Sequence, residues 1–340
     1  VSGQGPDEPP ALPIAAADVR RLGKVELHVH LEGSFDLERI GSLARAAGEP
    51  MPAEPATLFD VGDLGTFLSR LDWWCSLVRT PEQAEEQAFD FAERLGADGV
   101  VYAEVTVNPT HWSSLERAVL IEAVARGFDR GASSGGADCR VVVSLARWQD
   151  ESEARALVDE LARSAPARVV GLGVDGNEAS TGPTSAKFRE AFAEAGRIGL
   201  GRSAHAGESS GPDGVAEALD VLGVDRIDHG IRASEDPELL RRLADEGVVL
   251  NCCPSSNAAL LYGALERVPL AALRAAGVRF TINSDDPVLL GTTLSDELVL
   301  ASELVGTGLD QVVDWQLVGL GAAFGEPARP QAVGAVLEET

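Results

Sequence analysis

Eight apolar, β-like runs alternate with helical stretches along this chain, and that alternation constrains its fold more than any other feature. The runs cover residues 25–30, 100–108, 140–146, 169–174, 201–205, 226–229, 248–252 and 278–283. Between them, stretches such as 81–95, 115–130, 151–164, 185–195, 214–222, 237–246 and 270–276 carry amphipathic helical character. Parallel neighbouring strands need helical crossovers, so the pattern predicts an α/β fold, a (β/α)8 barrel of the TIM type. An open doubly wound sheet is the main competitor, but no G-x-G-x-x-G follows the first run. At 340 residues the chain could hold two average domains, yet barrels reach this size as one.

The expected organisation is a flexible arm over residues 1–18, a single barrel domain over 19–325, and a loosely attached tail over 326–340. The longest connection, 35–95, follows the first strand and holds several helices. An insertion at the catalytic end of a barrel is a candidate lid. Equally, it could be a helical pair packing Phe67, Leu71 and Trp74 against the barrel.

Chemistry-bearing residues collect at the ends of these strands. His28 and His30 close the first, two apart and so on one side of it. Downstream strand ends carry His205-Ala-Gly-Glu208, Asp228-His229-Gly230 and Ser284-Asp285-Asp286-Pro287. Four of the five histidines fall in these segments, and core histidines would have no reason to gather there. Imidazole and carboxylate groups brought from different strands suit Zn²⁺ or a similar divalent ion. In a barrel the C-terminal strand ends share one rim, so fold and motifs point to the same place. Glu26, two residues before His28, reads as a barrel-interior partner rather than a catalyst.

A formal net charge of −26 argues against nucleic acid or an anionic membrane as partner. No apolar run is long enough to cross a bilayer, and residues 1–13 do not resemble a secretory signal, so a cytoplasmic location is expected. The four cysteines lack C-x-x-C spacing and read as buried thiols.

With these residues in view, the chain resembles the adenosine deaminase family of the amidohydrolase superfamily. The matching segments are Val25-Glu-Leu-His-Val-His-Leu-Glu-Gly33, Val170-Gly-Leu-Gly-Val-Asp-Gly-Asn-Glu178, His205-Ala-Gly-Glu208, Arg226-Ile-Asp-His-Gly230, Cys253-Pro-Ser-Ser256 and Ile282-Asn-Ser-Asp-Asp-Pro287. The resemblance implies a hydrolase with one Zn²⁺ per chain that converts a 6-aminopurine to its 6-oxo product and ammonia. It places His28, His30, His205 and Asp285 on the metal ligands, and Glu208, His229 and Asp285 on the catalytic groups. Within that set Glu208 falls on the proton donor and His229 on the residue that orients the attacking water. His30, Glu32, Gly176 and Asp286 are the expected substrate contacts. The implied partner is a small purine or purine nucleoside, with homo-oligomer formation an open option.

Departures from the family pattern bear on the substrate. Glu32 stands where adenosine deaminases carry Asp, and with Asp228 before His229 it looks like the adenine deaminase branch. The Gly176-Asn-Glu178 segment instead resembles the nucleoside branch, and Asn283-Ser-Asp-Asp-Pro287 is similar to aminodeoxyfutalosine deaminases. Retention of the Gly176 segment tips the expectation to a nucleoside, adenosine or a 5′-modified adenosine. Adenine deaminase, aminodeoxyfutalosine deaminase and a non-deaminating amidohydrolase are the alternatives. The fifth histidine, His111, could line the substrate end, although a loop residue without a role is the preferred reading.

Overall fold

The structure, a computed structural model, describes residues 14–60, 62, 64–182 and 186–337. Its strands are β1 (Lys24–His30), β2 (Val100–Val107), β3 (Asp138–Ala146), β4 (Val169–Asp175), β5 (Gly201–Ala206), β6 (Arg226–His229), β7 (Val249–Cys252) and β8 (Arg279–Ile282). The run predicted over 226–229 coincides with β6, and the others differ at their ends by no more than two residues. All pair in parallel in the order β1 to β8, with helices between them, as a (β/α)8 barrel requires.

Two seams of this barrel are closed partly by side chains. Between β8 and β1, Asn283 Oδ1 accepts from Leu27 N (2.9 Å) and His28 N (3.1 Å), while Gln316 Oε1 accepts from Val25 N (2.8 Å). These acceptors satisfy buried backbone donors that a strand ladder would otherwise serve. Just above them, His30 N donates to Asp285 O (2.8 Å) and Asp285 N to His28 O (3.3 Å). Between β4 and β5 only Gly171–Gly201 and Leu172–Arg202 are in register, so the upper ends of these strands part. The buried Arg147 bridges that gap, donating through Nε to Gly176 O (3.1 Å) and through Nη2 to His205 O.

The 35–95 connection contains helices Leu37–Ala47, Leu64–Ser76 and Pro81–Ala97. Phe67, Leu71 and Trp74 are buried as the packing alternative expected, and Trp74 Nε1 donates to Glu32 O (2.9 Å). Two helices after β8, Leu294–Val305 and Leu309–Ala322, have no counterpart in the sequence reading.

The chain's far end differs from the loosely attached tail expected of it. Gly23 N donates to Ala335 O (2.9 Å), Gly334 N to Gly23 O (2.8 Å) and Leu337 N to Arg21 O (2.7 Å), and Val333 is buried. These bonds are backbone to backbone, so the polar side-chain pattern of the segment does not register them. The expected arm falls largely on residues 1–13, outside the described residues; beyond it, helix Ala16–Arg20 buries Val19. No helix among the described residues is long and apolar enough to cross a membrane.

Candidate active site

β1, β5, β6 and the turn after β8 bring four imidazoles and a carboxylate together at the C-terminal rim. His30 Nε2 lies 3.1 Å from His205 Nε2 and 3.5 Å from Asp285 Oδ1. His28 Nε2 lies 3.2 Å from the same Asp285 oxygen. His229 Nε2 stands beside them, 4.0 Å from Asp285 Oδ2 and 3.8 Å from Glu208 Oε1.

Local backbone geometry explains how neighbouring residues share one site. Strand alternation would send Asp228 and His229, or Asp285 and Asp286, to opposite sides. His229 and Asp285 instead adopt φ of 62° and 61°, the only non-glycine residues with positive φ among those described. Such conformations cost on the order of 1–3 kcal/mol and persist where surroundings over-determine them. Here the turn lets both members of each pair reach the cluster. Gly33 makes room for the second of them, since a Cβ there would come within 1.9 Å of Asp286 Oδ1.

A ring of buried groups holds these side chains in place. Asp228 Oδ1 is 3.3 Å from His28 Nδ1 and accepts from Asn251 Nδ2 (2.7 Å); its other oxygen is 3.9 Å from His205 Nδ1. Carboxylates behind imidazoles in this way fix ring orientation. Asn257 Nδ2 is 3.1 Å from His229 Nδ1. Glu26 accepts from Ser284 N (2.9 Å) and Ser284 Oγ (2.5 Å), which fixes the residue before Asp285 and agrees with its reading as an interior partner. Glu32 is buried, and its Oε1 accepts from Asn108 N (2.9 Å) and Trp112 Nε1 (2.6 Å).

Two contributors escaped the sequence reading. Glu178 accepts from the backbone N–H groups of Gly207 (3.2 Å), Glu208 (2.9 Å), Ser209 (3.0 Å) and Ser210 (3.1 Å), and from Ser210 Oγ (2.5 Å). It thereby anchors the loop that carries Glu208. Arg147 lies 3.8 Å from Glu178 and holds the carbonyl of His205. Arg147 is a lone charged residue with no motif to mark it, and Glu178 closes a family-like segment that does not reveal which loop its side chain gathers. Glu178→Ala leaves several N–H groups without a charged acceptor, and each loss costs about 1–3 kcal/mol where water cannot substitute. A fall of at least ~3 kcal/mol in urea unfolding free energy is expected; an unchanged midpoint would show that the loop stands without it.

Electrostatics separate the groups into acids and bases. Burial pushes the carboxyls of Glu208 and Asp286 up, Asp286 well above the usual range with the adjacent Asp285 charge adding to the effect. Burial pushes the Glu32 carboxyl up as well, to about 7. Burial opposes ionisation of Asp285 too, but His229, His28 and His30 outweigh it and hold that carboxyl well below the usual range. Burial, then the neighbouring positive groups, lowers His205 well below an ordinary histidine, and burial, against the opposing charge of Asp285, lowers His30 to about 4, so both offer neutral imidazoles.

The donor set fits a divalent ion such as Zn²⁺. Zinc bonds of ~2.0–2.1 Å to nitrogen place neighbouring ligands about 3.3 Å apart. The separations of 3.1, 3.2 and 3.5 Å among His30, His205, His28 and Asp285 bracket that value. His28 Nε2 is buried and has no hydrogen-bond partner. Cys253 also approaches His28, His229 and Asp285, but burial keeps its thiol protonated, which favours the three imidazoles and Asp285.

A narrow cavity of about 40 Å³ opens over this cluster. Of the residues expected in the site only His28 does not line it; His28 lies beneath, and the rest face the same space. Helix Leu64–Ser76 covers the mouth with Phe67, Leu68 and Leu71, and His111 joins the wall, the alternative of the two readings given for it.

Comparison with known proteins agrees with this geometry. The family model described as Adenosine deaminase matches residues 23–334. An adenine deaminase from Rhodospirillum rubrum is 35% identical over 324 residues, 92% of this chain and 95% of its own length. One from Streptomyces coelicolor is 36% identical over 292 residues, 84% of this chain and 85% of its own. Among solved structures, an amidohydrolase from Burkholderia ambifaria with bound Zn aligns at a TM-score of 0.86 and 29% identity, covering 93% of this chain and 90% of that one. An adenine deaminase from Arthrobacter aurescens aligns at 0.85 and 29%, covering 92% and 97%.

Proposed function

The chain belongs to the adenosine deaminase family of zinc-dependent hydrolases acting on C–N bonds, and on that premise we propose that it converts free adenine and water to hypoxanthine and ammonia. The observation that carries the reading is one narrow cavity in which a His/Asp metal cluster meets two buried carboxyls, Glu208 and Asp286, that hold their protons unusually well. Simple amide or ester hydrolysis needs no acid to protonate a ring; a heteroaromatic amine does.

The proposed donors to zinc are His28, His30, His205 and Asp285. When bound, Zn²⁺ supplies a nucleophile at neutral pH, since it can bring the pKa of water from ~15.7 to about 7. Glu208 gives its proton to a ring nitrogen beside C6, making that carbon electrophilic. His229 Nε2 faces the space between Glu208 and Asp285. With the Asn257 amide donating to Nδ1, the His229 proton sits on Nε2, where it orients the attacking water. Asp285, ionised, accepts the proton that water releases. Asp286 Oδ1 and Glu32 Oε2 are buried without hydrogen-bond partners, and both are assigned to the edges of the purine together with the Gly176 backbone. Asp285 then passes the water-derived proton to the 6-amino group, which leaves as ammonia, while the C6 hydroxyl becomes the carbonyl and returns its proton to Glu208, restoring both carboxyls.

Free adenine takes the place of the nucleoside that the Gly176 segment favoured. What supports the change is that the relatives named above are adenine deaminases, matched across most of their length. The test is an ammonia-release screen over adenine, adenosine, 2′-deoxyadenosine, aminodeoxyfutalosine and guanine. Adenine is expected to lead adenosine in kcat/KM by about 10²-fold, within the range of discrimination that pocket contacts alone supply. Faster turnover of any nucleoside than of adenine would reverse the assignment.

A further inference from the structure

We infer that His111, latched to Asp72, is the partition that confines this site to a base without a sugar, a specificity-determining contact that rests on the free-base reading above. Two cavities meet at it. The inner one holds the catalytic groups and encloses about 40 Å³; the outer one encloses about 370 Å³. Leu68, His111, Asp175 and Gly176 line both, so they form the wall between them. Gly176 contributes no side chain, and Asp175 is drawn aside by Asn108 Nδ2 (2.6 Å). The wall is therefore made by the side chains of Leu68 and His111.

His111 is fixed from two directions. Its backbone ends the short turn Pro109–His111, whose Asn108 cap accepts from Thr110 N (3.0 Å) and is itself tied through its N–H to Glu32. Its ring is held by Asp72, with Nδ1 2.7 Å from Oδ1. Asp72 projects from helix Leu64–Ser76, the same helix whose Leu68 supplies the rest of the wall. The pair thus joins the β2 loop to the insertion across the line between the cavities. Its members differ in exposure: the Asp72 side chain is 60% exposed, the His111 side chain 15%.

The chemistry of the outer cavity gives the partition its meaning. Asn177, Ser180, Thr181 and Thr110 place amide and hydroxyl groups around it. Such a lining could hydrogen-bond the hydroxyls of a ribosyl group, but a sugar attached to a base in the inner cavity must cross the wall to reach it. Opening the wall should convert a site for bases into one that also takes nucleosides.

The experiment compares wild type, His111→Ala and Asp72→Ala for ammonia release from adenine and adenosine, with inhibition by hypoxanthine and inosine as a readout of binding alone. Asp72 is exposed, so its variant preserves the fold even where loss of the His111 ring does not. Both variants are expected to raise the adenosine-to-adenine ratio of kcat/KM by at least ~10-fold, His111→Ala more, and to improve inosine binding relative to hypoxanthine. Adenine-preferring wild type with both ratios unchanged in both variants overturns the partition and leaves the free-base reading intact. Wild type preferring adenosine overturns the free-base reading, and the partition with it, before any variant is examined.

Discussion

Chelation is expected to abolish adenine turnover and to lower the melting temperature of this protein, and purified material should carry about one zinc per chain, the stoichiometry of a catalytic site with three imidazoles and one carboxylate. The cause lies in how tightly the proposed donors are packed. His30 Nε2 and His205 Nε2 stand 3.1 Å apart, both in rings that burial keeps neutral, beside an ionised Asp285 and a buried His28 Nε2 with no hydrogen-bond partner. A cation satisfies all four at once. By linkage, an ion present at ~100 times its dissociation constant contributes about 2.7 kcal/mol to the folded state, which is several degrees in Tm. Asp285→Asn keeps the volume but removes the charge, and should lower zinc content and activity together. Elemental analysis finding no divalent metal in protein that deaminates at full rate, with an unchanged melting curve after chelation, would rule out the metal cluster as the reaction centre.

What could be read beforehand, and what could not, follows from the range of the interactions involved. The barrel was legible because alternation of apolar runs and helical stretches is a local signal repeated eight times, and the convergence of His28, His30, His205, His229 and Asp285 follows once parallel strand ends share a rim. Helices Leu294–Val305 and Leu309–Ala322 were missed because Leu, Val, Ala and Gly occupy most of their faces, leaving no clean polar stripe. The positive φ of His229 and Asp285 could not be placed from sequence: His and Asp adopt it more readily than most residues, but here it is imposed by the packed site. Glu178 and Arg147 act at a seam where β4 and β5 lose register, and a seam is a property of the closed sheet rather than of any segment. His111 could be suspected of lining the substrate end from its place just after the second strand, but its partner Asp72 lies 39 residues away.

The proton for the ring distinguishes this site from other metal hydrolases, and Glu208→Gln addresses it directly. Burial pushes the Glu208 carboxyl up, so at neutral pH it retains its proton more than an exposed glutamate does, and its Oε1 faces His229 at 3.8 Å. Gln keeps the volume and can still be held by the loop that Glu178 anchors, because those bonds are made by the backbone of residue 208 rather than its side chain. It cannot release a proton to a ring nitrogen. A loss of at least ~10²-fold in kcat is expected, the scale of general acid catalysis, with KM changed by only a few-fold and zinc content unaltered because Glu208 is not among the proposed donors. Asp286→Asn is the necessary comparison, since burial and the Asp285 charge push the Asp286 carboxyl up as well. Asn can still donate from an amide N–H, so if Asp286 only holds the purine its loss should fall mainly on KM. If Asp286→Asn instead abolishes kcat while Glu208→Gln turns over at near wild-type rate, the acid and the anchor have been assigned to the wrong carboxyls, and the purine sits in the cavity in the opposite orientation.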